Sequence, residues 1–184
     1  MDIALGDRFV SLWRKHFGEA GLPICFYYTD DEACREHVRP GKGHTCLIGQ
    51  LALVCEGQTL CVDRDSLGCA GAKRYLGFTK EIMPDFEYFL SCGIPGRLEG
   101  ERYKKSPEIV REAIAKTRFF DAPAKYGVFK RWDKLAEGDE PEIVIFLAGP
   151  DVLSGLFTLS NFDEIDPQAV MAPFGAGCGT IVHY

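Results

Sequence analysis

Pro23-Ile24-Cys25-Phe26-Tyr27-Tyr28-Thr29 is a β-branched and aromatic run with no breaker inside it, which predicts a strand. Immediately upstream, residues 7 to 17 place Phe9, Leu12, Trp13 and Phe17 at helical spacing, with Arg8, Arg14 and Lys15 between them and Gly18 after them. That pattern is an amphipathic helix, and its apolar stripe is expected to cover a sheet. Downstream, the acidic turn Asp30-Asp31-Glu32 ends the strand, and Arg39-Pro40-Gly41-Lys42-Gly43 lies in a loop from His37 to His44. Thr45 is then expected to cap a helix from Cys46 to about Cys55, followed by Gly57 and a short strand Thr59-Leu60-Cys61-Val62-Asp63.

Further along, Ala70 to Leu76 reads as a short helix stopped at Gly77, and Met83-Pro84-Asp85 opens another that runs to Ser91. Residues 92 to 105 hold Gly93, Pro95, Gly96 and Gly100 among charged side chains, the composition of a long surface loop serving as a lid or binding segment. Ser106-Pro107 restarts a helix through Ile109, Val110, Ala113 and Ile114. The last third predicts strands at Tyr126 to Trp132, at Ile143 to Ala148 as a buried one, and at Thr180-Ile181-Val182. Gly149-Pro150-Asp151 opens a helix ending near Asn161, and Ala169-Val170-Met171-Ala172 leads into the glycine turn at Gly175. With no linker or low-complexity segment, the expectation is one α+β domain over residues 1 to 184, a mixed sheet flanked by helices.

A chain of 184 residues with 46% hydrophobic content is long enough to bury roughly 70% of the surface its unfolded form exposes. Disulfide staples are therefore unnecessary, and reduced thiols in a cytoplasmic protein are the expectation. No apolar run approaches the roughly 18 residues of a spanning helix, and the first residues lack the pattern of a signal peptide. A net charge of -6 argues against nucleic-acid binding, which draws its affinity from clustered Lys and Arg. The basic residues between Arg97 and Arg118 alternate with glutamates and read as a solvated face.

The chain carries eight cysteines, none in a CxxC pair. Cys46 and Cys55 lie nine residues apart, so at about 100° per residue one helix sends them to opposite faces. Cys25, Cys55 and Cys61 read as small core hydrophobes, while Cys34 and Cys92 are undecided. Cys69 and Cys178 stand apart because they occupy the glycine turns Gly68-Cys69-Ala70-Gly71 and Gly175-Ala176-Gly177-Cys178-Gly179, whose amides can form a concave nest for an anion or thiolate. Cys46, next to a helix start, would feel the positive end of the helix dipole. Three such thiols suit a soft metal ion or an iron–sulfur cluster, with His44 or an exogenous ligand as fourth donor. Their spacing matches no compact ligand motif. The Gly175 turn lacks the Gly-Lys-Ser/Thr of a Walker loop and precedes a strand rather than a helix, so nucleotide binding is disfavoured.

Four segments together resemble a family of archaeal and anaerobic bacterial proteins known as domain of unknown function 169. They are Cys46 with its helix and the Gly57 turn; Cys69-Ala70-Gly71-Ala72 through Tyr75-Leu76-Gly77-Phe78; Phe89-Leu90-Ser91 with Gly93 and Gly100-Glu101-Arg102-Tyr103 through Ser106-Pro107; and Ala172-Pro173-Phe174-Gly175-Ala176-Gly177-Cys178. The resemblance spans nearly the whole chain and groups Cys46, Cys69 and Cys178, but implies no reaction. It also implies that members run on past the position of Tyr184.

Two functions follow as expectations. In the first, Cys46, Cys69 and Cys178 bind a metal or iron–sulfur cofactor and are redox-active, with Gly71, Gly175 and Gly177 lining the site and Glu101, Arg102 and Tyr103 carried on the 92 to 105 lid. In the second, the same glycine turns donate amides to a small anionic ligand against Tyr75, Phe89 and Tyr103, without catalysis. A structural subunit with an apolar partner surface is a third. Oligomeric state is not legible.

Overall fold

The computed structural model describes residues 2–18, 20–39, 43, 45–117, 119–166, 177–179 and 181. Helix α1 (Ile3–Phe17) starts where the Asp2 carboxylate accepts the Ala4 amide at 2.9 Å and stops at Gly18, whose φ of 53° only glycine takes readily. Trp13 anchors it: the indole is buried, its Nε1 donates to the Ala20 carbonyl at 3.1 Å, and its ring stacks on Phe146. Strand β1 (Ile24–Thr29) follows, then a 3-10 helix over Glu32–His37.

Helix α2 (Leu47–Cys55) leads to β2 (Leu60–Val62), and α3 (Ala70–Tyr75) to the single turn α4 (Phe86–Phe89). The helix expected from Met83 to Ser91 is this short because Asp85 adopts a left-handed φ of 60°, breaking the path just before Phe86. Helix α5 (Pro107–Lys116) begins as its sequence predicts, with the Ser106 hydroxyl accepting the Ile109 amide at 3.5 Å and proline in the first turn. Strands β3 (Tyr126–Arg131) and β4 (Ile143–Ile145) precede helix α6 (Pro150–Ser160). Beyond it, Gly177–Gly179 forms a 3-10 turn.

The four strands make one sheet in the order β2-β3-β1-β4. All ladders are antiparallel; the parallel pairing a mixed sheet would carry is confined to the isolated bridge Val38 to Cys61. The α+β class stands. The run at Ile143, expected to be a buried strand to Ala148, is instead a three-residue edge strand whose side chains are half-buried. The strand expected at Thr180–Val182 and the segment at Ala169 lie outside the described residues, except Ile181, which sits in a turn.

Register divides the chemistry of the sheet between its faces. Phe26 pairs with Phe129 and Ile143, and Phe129 with Leu60, so these rings and aliphatics share one face. Leu47, Leu51 and Val54 of α2 and Ala72 and Leu76 at α3 pack on that face with Ile24, Phe26 and Phe129 to form the main core. Each such buried side chain contributes about 1.5–3 kcal/mol relative to exposure. The opposite face carries a smaller cluster of Tyr27, Cys34, Cys61, Tyr126 and Val128.

The loop from 92 to 105 is pinned rather than hinged. Ile94 and Leu98 bridge across it, and the amides of Glu101, Arg102 and Lys104 donate to the carbonyls of Phe89, Ser91 and Leu90 at 2.7, 3.0 and 3.1 Å. These bonds fasten its far limb to the end of α4, so the expected lid is a closed loop. Among the described residues no helix is long and apolar enough to cross a membrane.

Candidate functional site

Cys46, Cys69 and Cys178 come from three segments remote in sequence, and the fold brings them together by close backbone approach. A Cβ on Gly68 would stand 2.4 Å from the Gly43 carbonyl oxygen and 2.9 Å from the Thr45 amide nitrogen, closer than real atoms allow. Glycine at 68 therefore lets the strand of chain entering α2 lie directly on the strand entering α3. Cys46 follows Thr45 and Cys69 follows Gly68, so the two thiols enter from adjoining backbones.

The third segment is wedged in from the end of the chain. A Cβ on Gly179 would meet the Tyr75 ring at 3.3 Å, and one on Gly177 would meet Ile48 Cγ1 at 3.3 Å. The 3-10 turn thus rests between α3, through Tyr75, and α2, through Ile48, with Cys178 at its centre. Neither Gly68, Gly71 nor Gly179 has a positive φ. These glycines serve close packing, whereas the sequence reading gave them the role of an anion nest, a motif built on left-handed residues.

Both Cys46 and Cys69 occupy helix N-cap positions; the cap of α2 is Cys46 itself, in extended conformation, one residue later than the expected Thr45. Cys69 Sγ accepts the Ala72 amide at 3.5 Å, which ties its sulfur to the first turn of α3. Cys46 makes no side-chain cap bond and is exposed. Each of the two residues thus stands at the start of a helix, beside its first free amides.

The Cys178 thiol is held well above the ordinary range. Its hydrogen bond with Cys69 contributes most, burial next, and the charges of Cys69 and then Cys46 follow. Cys178 is therefore the proton-holding partner, and its sulfur registers both of the others. Cys69 and Cys178 also pack against the main core, half-buried.

Of the remaining candidates, Gly71 is adjacent: a Cβ there would sit 3.7 Å from Cys69 Sγ and 3.7 Å from the Tyr75 ring. Gly175 and His44 lie outside the described residues. Glu101, Arg102 and Tyr103 are exposed, and the amides of the first two bond to the end of α4; Arg102 and Tyr103 line, with Ser91 and Cys92, a cavity of about 390 Å³. Arg102 holds a left-handed φ of 58° there. Among the described residues, no group of three or more Cys, His, Asp or Glu is gathered so that it could hold a metal ion.

Sequence reasoning missed what supports the thiols. Ile48 and the Gly43 carbonyl carry no chemical signature, and Tyr75, expected as a wall for a ligand, instead packs its ring against Gly179. Cys25 and Cys61 are buried as expected, but Cys55 is exposed at the end of α2, where its carbonyl accepts from Arg131 at 2.7 Å. On the other side of the Cys69 turn, Gly68 and Ala70 line a cavity of about 350 Å³ together with Arg64, Lys73 and Met83.

No curated protein and no solved structure matches the chain. The match that exists covers all the elements just described except the first part of α1: the model of the uncharacterised ArCR family, DUF169, extends over residues 15–184, and the chain belongs to that family.

Proposed function

We propose that Cys46, Cys69 and Cys178 form a cysteine site that binds an iron–sulfur cluster or a soft metal ion and is redox-active. The observation that carries this reading is the close approach of the three segments, with Gly68 against the 43–45 backbone and the Gly177–Gly179 turn against Tyr75 and Ile48; the hydrogen bond between Cys178 and Cys69 supports it. Thiolates are soft donors, suited to iron–sulfur clusters and to thiophilic ions. The described donors are not gathered as a ready site for one ion, so binding would require the three sulfurs to draw closer. Cys46 is the ligand with freedom to turn inward, exposed and without a side-chain bond. Three cysteines leave one coordination position for His44 or an exogenous ligand.

The test is iron, other metals and acid-labile sulfide measured in protein purified without oxygen, alongside C46S, C69S and C178S. Wild type is expected to retain the cofactor and each variant to lose most of it. Folded wild-type protein with neither metal nor sulfide overturns the reading.

A second reading rests on the cavity of about 350 Å³ beside the Cys69 turn, where Arg64 and Lys73 present cations and make no ion pair among the described residues. There the protein binds a small anion without catalysis, and binding is unchanged by the three serine substitutions but lost in R64A/K73A. Isothermal titration with a dicarboxylate and with inorganic phosphate separates the two readings.

A further inference from the structure

The face of the sheet turned away from α2 and α3 carries its own sulfur chemistry. Register sets Cys61, Val128 and Tyr27 in one cross-strand row, and Lys130, Cys25 and Val144 in the next. Cys34, on the Glu32–His37 helix, reaches over this face, and its thiol shares a hydrogen bond with that of Cys61. Both thiols line a cavity of about 450 Å³ whose other walls include Tyr27, His37, Lys130 and Asp139. That volume lies within the range of small-molecule sites.

A charged group underlies the thiols. Lys130 Nζ contacts both Asp139 oxygens at 3.0 and 2.8 Å, while Asp139 also accepts the Tyr27 hydroxyl at 2.5 Å and the Ala136 amide at 2.8 Å. Lys130 and Asp139 are largely buried, with side-chain exposures of 19% and 12%. The ammonium group is thus locked in place beside two thiols, an arrangement that pure packing does not require.

We propose that Cys34 and Cys61 are a dithiol that exchanges with low-molecular-weight, zwitterionic disulfides entering this cavity. The walls carry both signs of charge, Asp31, Glu36 and Glu137 as well as Lys134 and the Lys130–Asp139 pair, which suits a disulfide built from amino acids. Cys34 gives its proton to water and attacks one sulfur of the disulfide, forming a mixed disulfide and releasing one small thiolate. That thiolate takes the Cys61 proton, and Cys61 then attacks Cys34 Sγ, forming the Cys34–Cys61 bond and releasing a second small thiolate, which recovers the first proton from water. Two protein thiols are oxidised and one disulfide is reduced, so electrons and protons balance without another reactant.

The two thiols have unequal roles. Burial raises Cys34, while the hydrogen bond from Cys61 and the charge of Lys130 pull it back against Asp31 and Asp139. Cys61 is raised further, by burial and then by the bond to and charge of Cys34, with Lys130 opposing and Asp31 adding to the rise. Cys34, 8% exposed against 1% for Cys61, is the sulfur an entering disulfide reaches first and so the attacking one, with Cys61 resolving. Their pairing is independent of Cys46, Cys69 and Cys178, so loss of a cofactor there leaves it intact.

The experiment incubates folded protein with cystine and maps every cysteine by peptide mass spectrometry. Wild type is expected to form a Cys34–Cys61 crosslinked peptide that dithiothreitol reverses, C61S to stop with half-cystine on Cys34, and K130M to slow the crosslink about tenfold or more. Cystamine, a dication, and a dianionic aromatic disulfide are expected to react several-fold more slowly. Cys34 and Cys61 remaining reduced while the exposed Cys55 and Cys92 are modified overturns the proposal, as does modification only at denaturant concentrations that unfold the protein. Equal rates for all three disulfides overturn the zwitterion assignment. Mapping the wild type needs no variant to fold.

Discussion

The two faces of the sheet hold three cysteines each in opposite ways. On the helix-covered face, Cys69 and Cys178 pack at the rim of an apolar core with Cys46 exposed nearby, on segments whose glycines let them touch. On the other face, Cys25 and Cys61 are part of the sheet itself and Cys34 lies over it, with the Lys130–Asp139 pair beneath. The first arrangement depends on long-range packing and the second on strand register. A sulfur site can therefore be assembled by loops that tolerate adjustment, or fixed by a ladder that does not.

The contrast is broken most severely by removing the core beneath the first face. Phe26→Ala empties a fully buried ring site against Phe129 and is expected to cost about 3–5 kcal/mol, read as a lower urea midpoint. Asp139→Asn attacks the other face by leaving the Lys130 ammonium with no carboxylate, at an expected cost of about 3 kcal/mol given that the pair is not wholly enclosed. A midpoint within 0.5 kcal/mol of wild type, a threshold set by roughly the spread of ordinary surface substitutions, would show that the pair does not stabilise its face.

The same substitution gives a pH signature. Burial alone would raise the Asp139 carboxyl, but hydrogen bonds from Lys130, Tyr27 and the Ala136 amide outweigh it and hold the group below its ordinary 3.8. The unfolded state therefore binds the proton more readily. Stability from this group is present above 3.8 and is lost as pH falls through the lowered folded value. Acid titration of folding is expected to be less steep below that pH in D139N than in wild type, and parallel curves would contradict the assignment.

Gly68→Ala sharpens the comparison at smaller cost, since its new Cβ meets backbone of the 43–45 loop at 2.4 Å and forces the two entering chains apart. The expected loss is about 2 kcal/mol, with cofactor content falling more than stability, while the Cys34–Cys61 crosslink is unaffected. Cys69→Ala removes the sulfur cap of a six-residue helix together with a half-buried contact to Cys178 and is expected to cost about 1 kcal/mol. A large destabilisation would give Cys69 a structural role rather than a ligand's.

Much of the fold was legible because it follows local rules. The amphipathic spacing of Phe9, Trp13 and Phe17, the Ser106-Pro107 helix start and the uninterrupted run at Ile24 each became the expected element. The failures came where a distant contact overrode composition: the glycine-rich 92 to 105 loop is fastened to α4 by backbone bonds, and Asp85 cuts a helix short. Cys34 was undecided because its 3-10 helix has no periodicity to read, and its partner Cys61 is bonded to it only through the folded sheet.

By itself the sequence determined the α+β class, the order of most elements and the family, and it singled out Cys46, Cys69 and Cys178 as candidates, since helix periods, strand runs and family motifs are written in consecutive residues. Tertiary structure alone decided that the segments bearing those cysteines adjoin, that Gly68 and Gly179 serve close approach, and that Cys34 meets Cys61 beside a buried ion pair. The physical reason is that steric gaps of a few tenths of an ångström and shared hydrogen bonds exist only between segments far apart in the chain, after the core has set their distance.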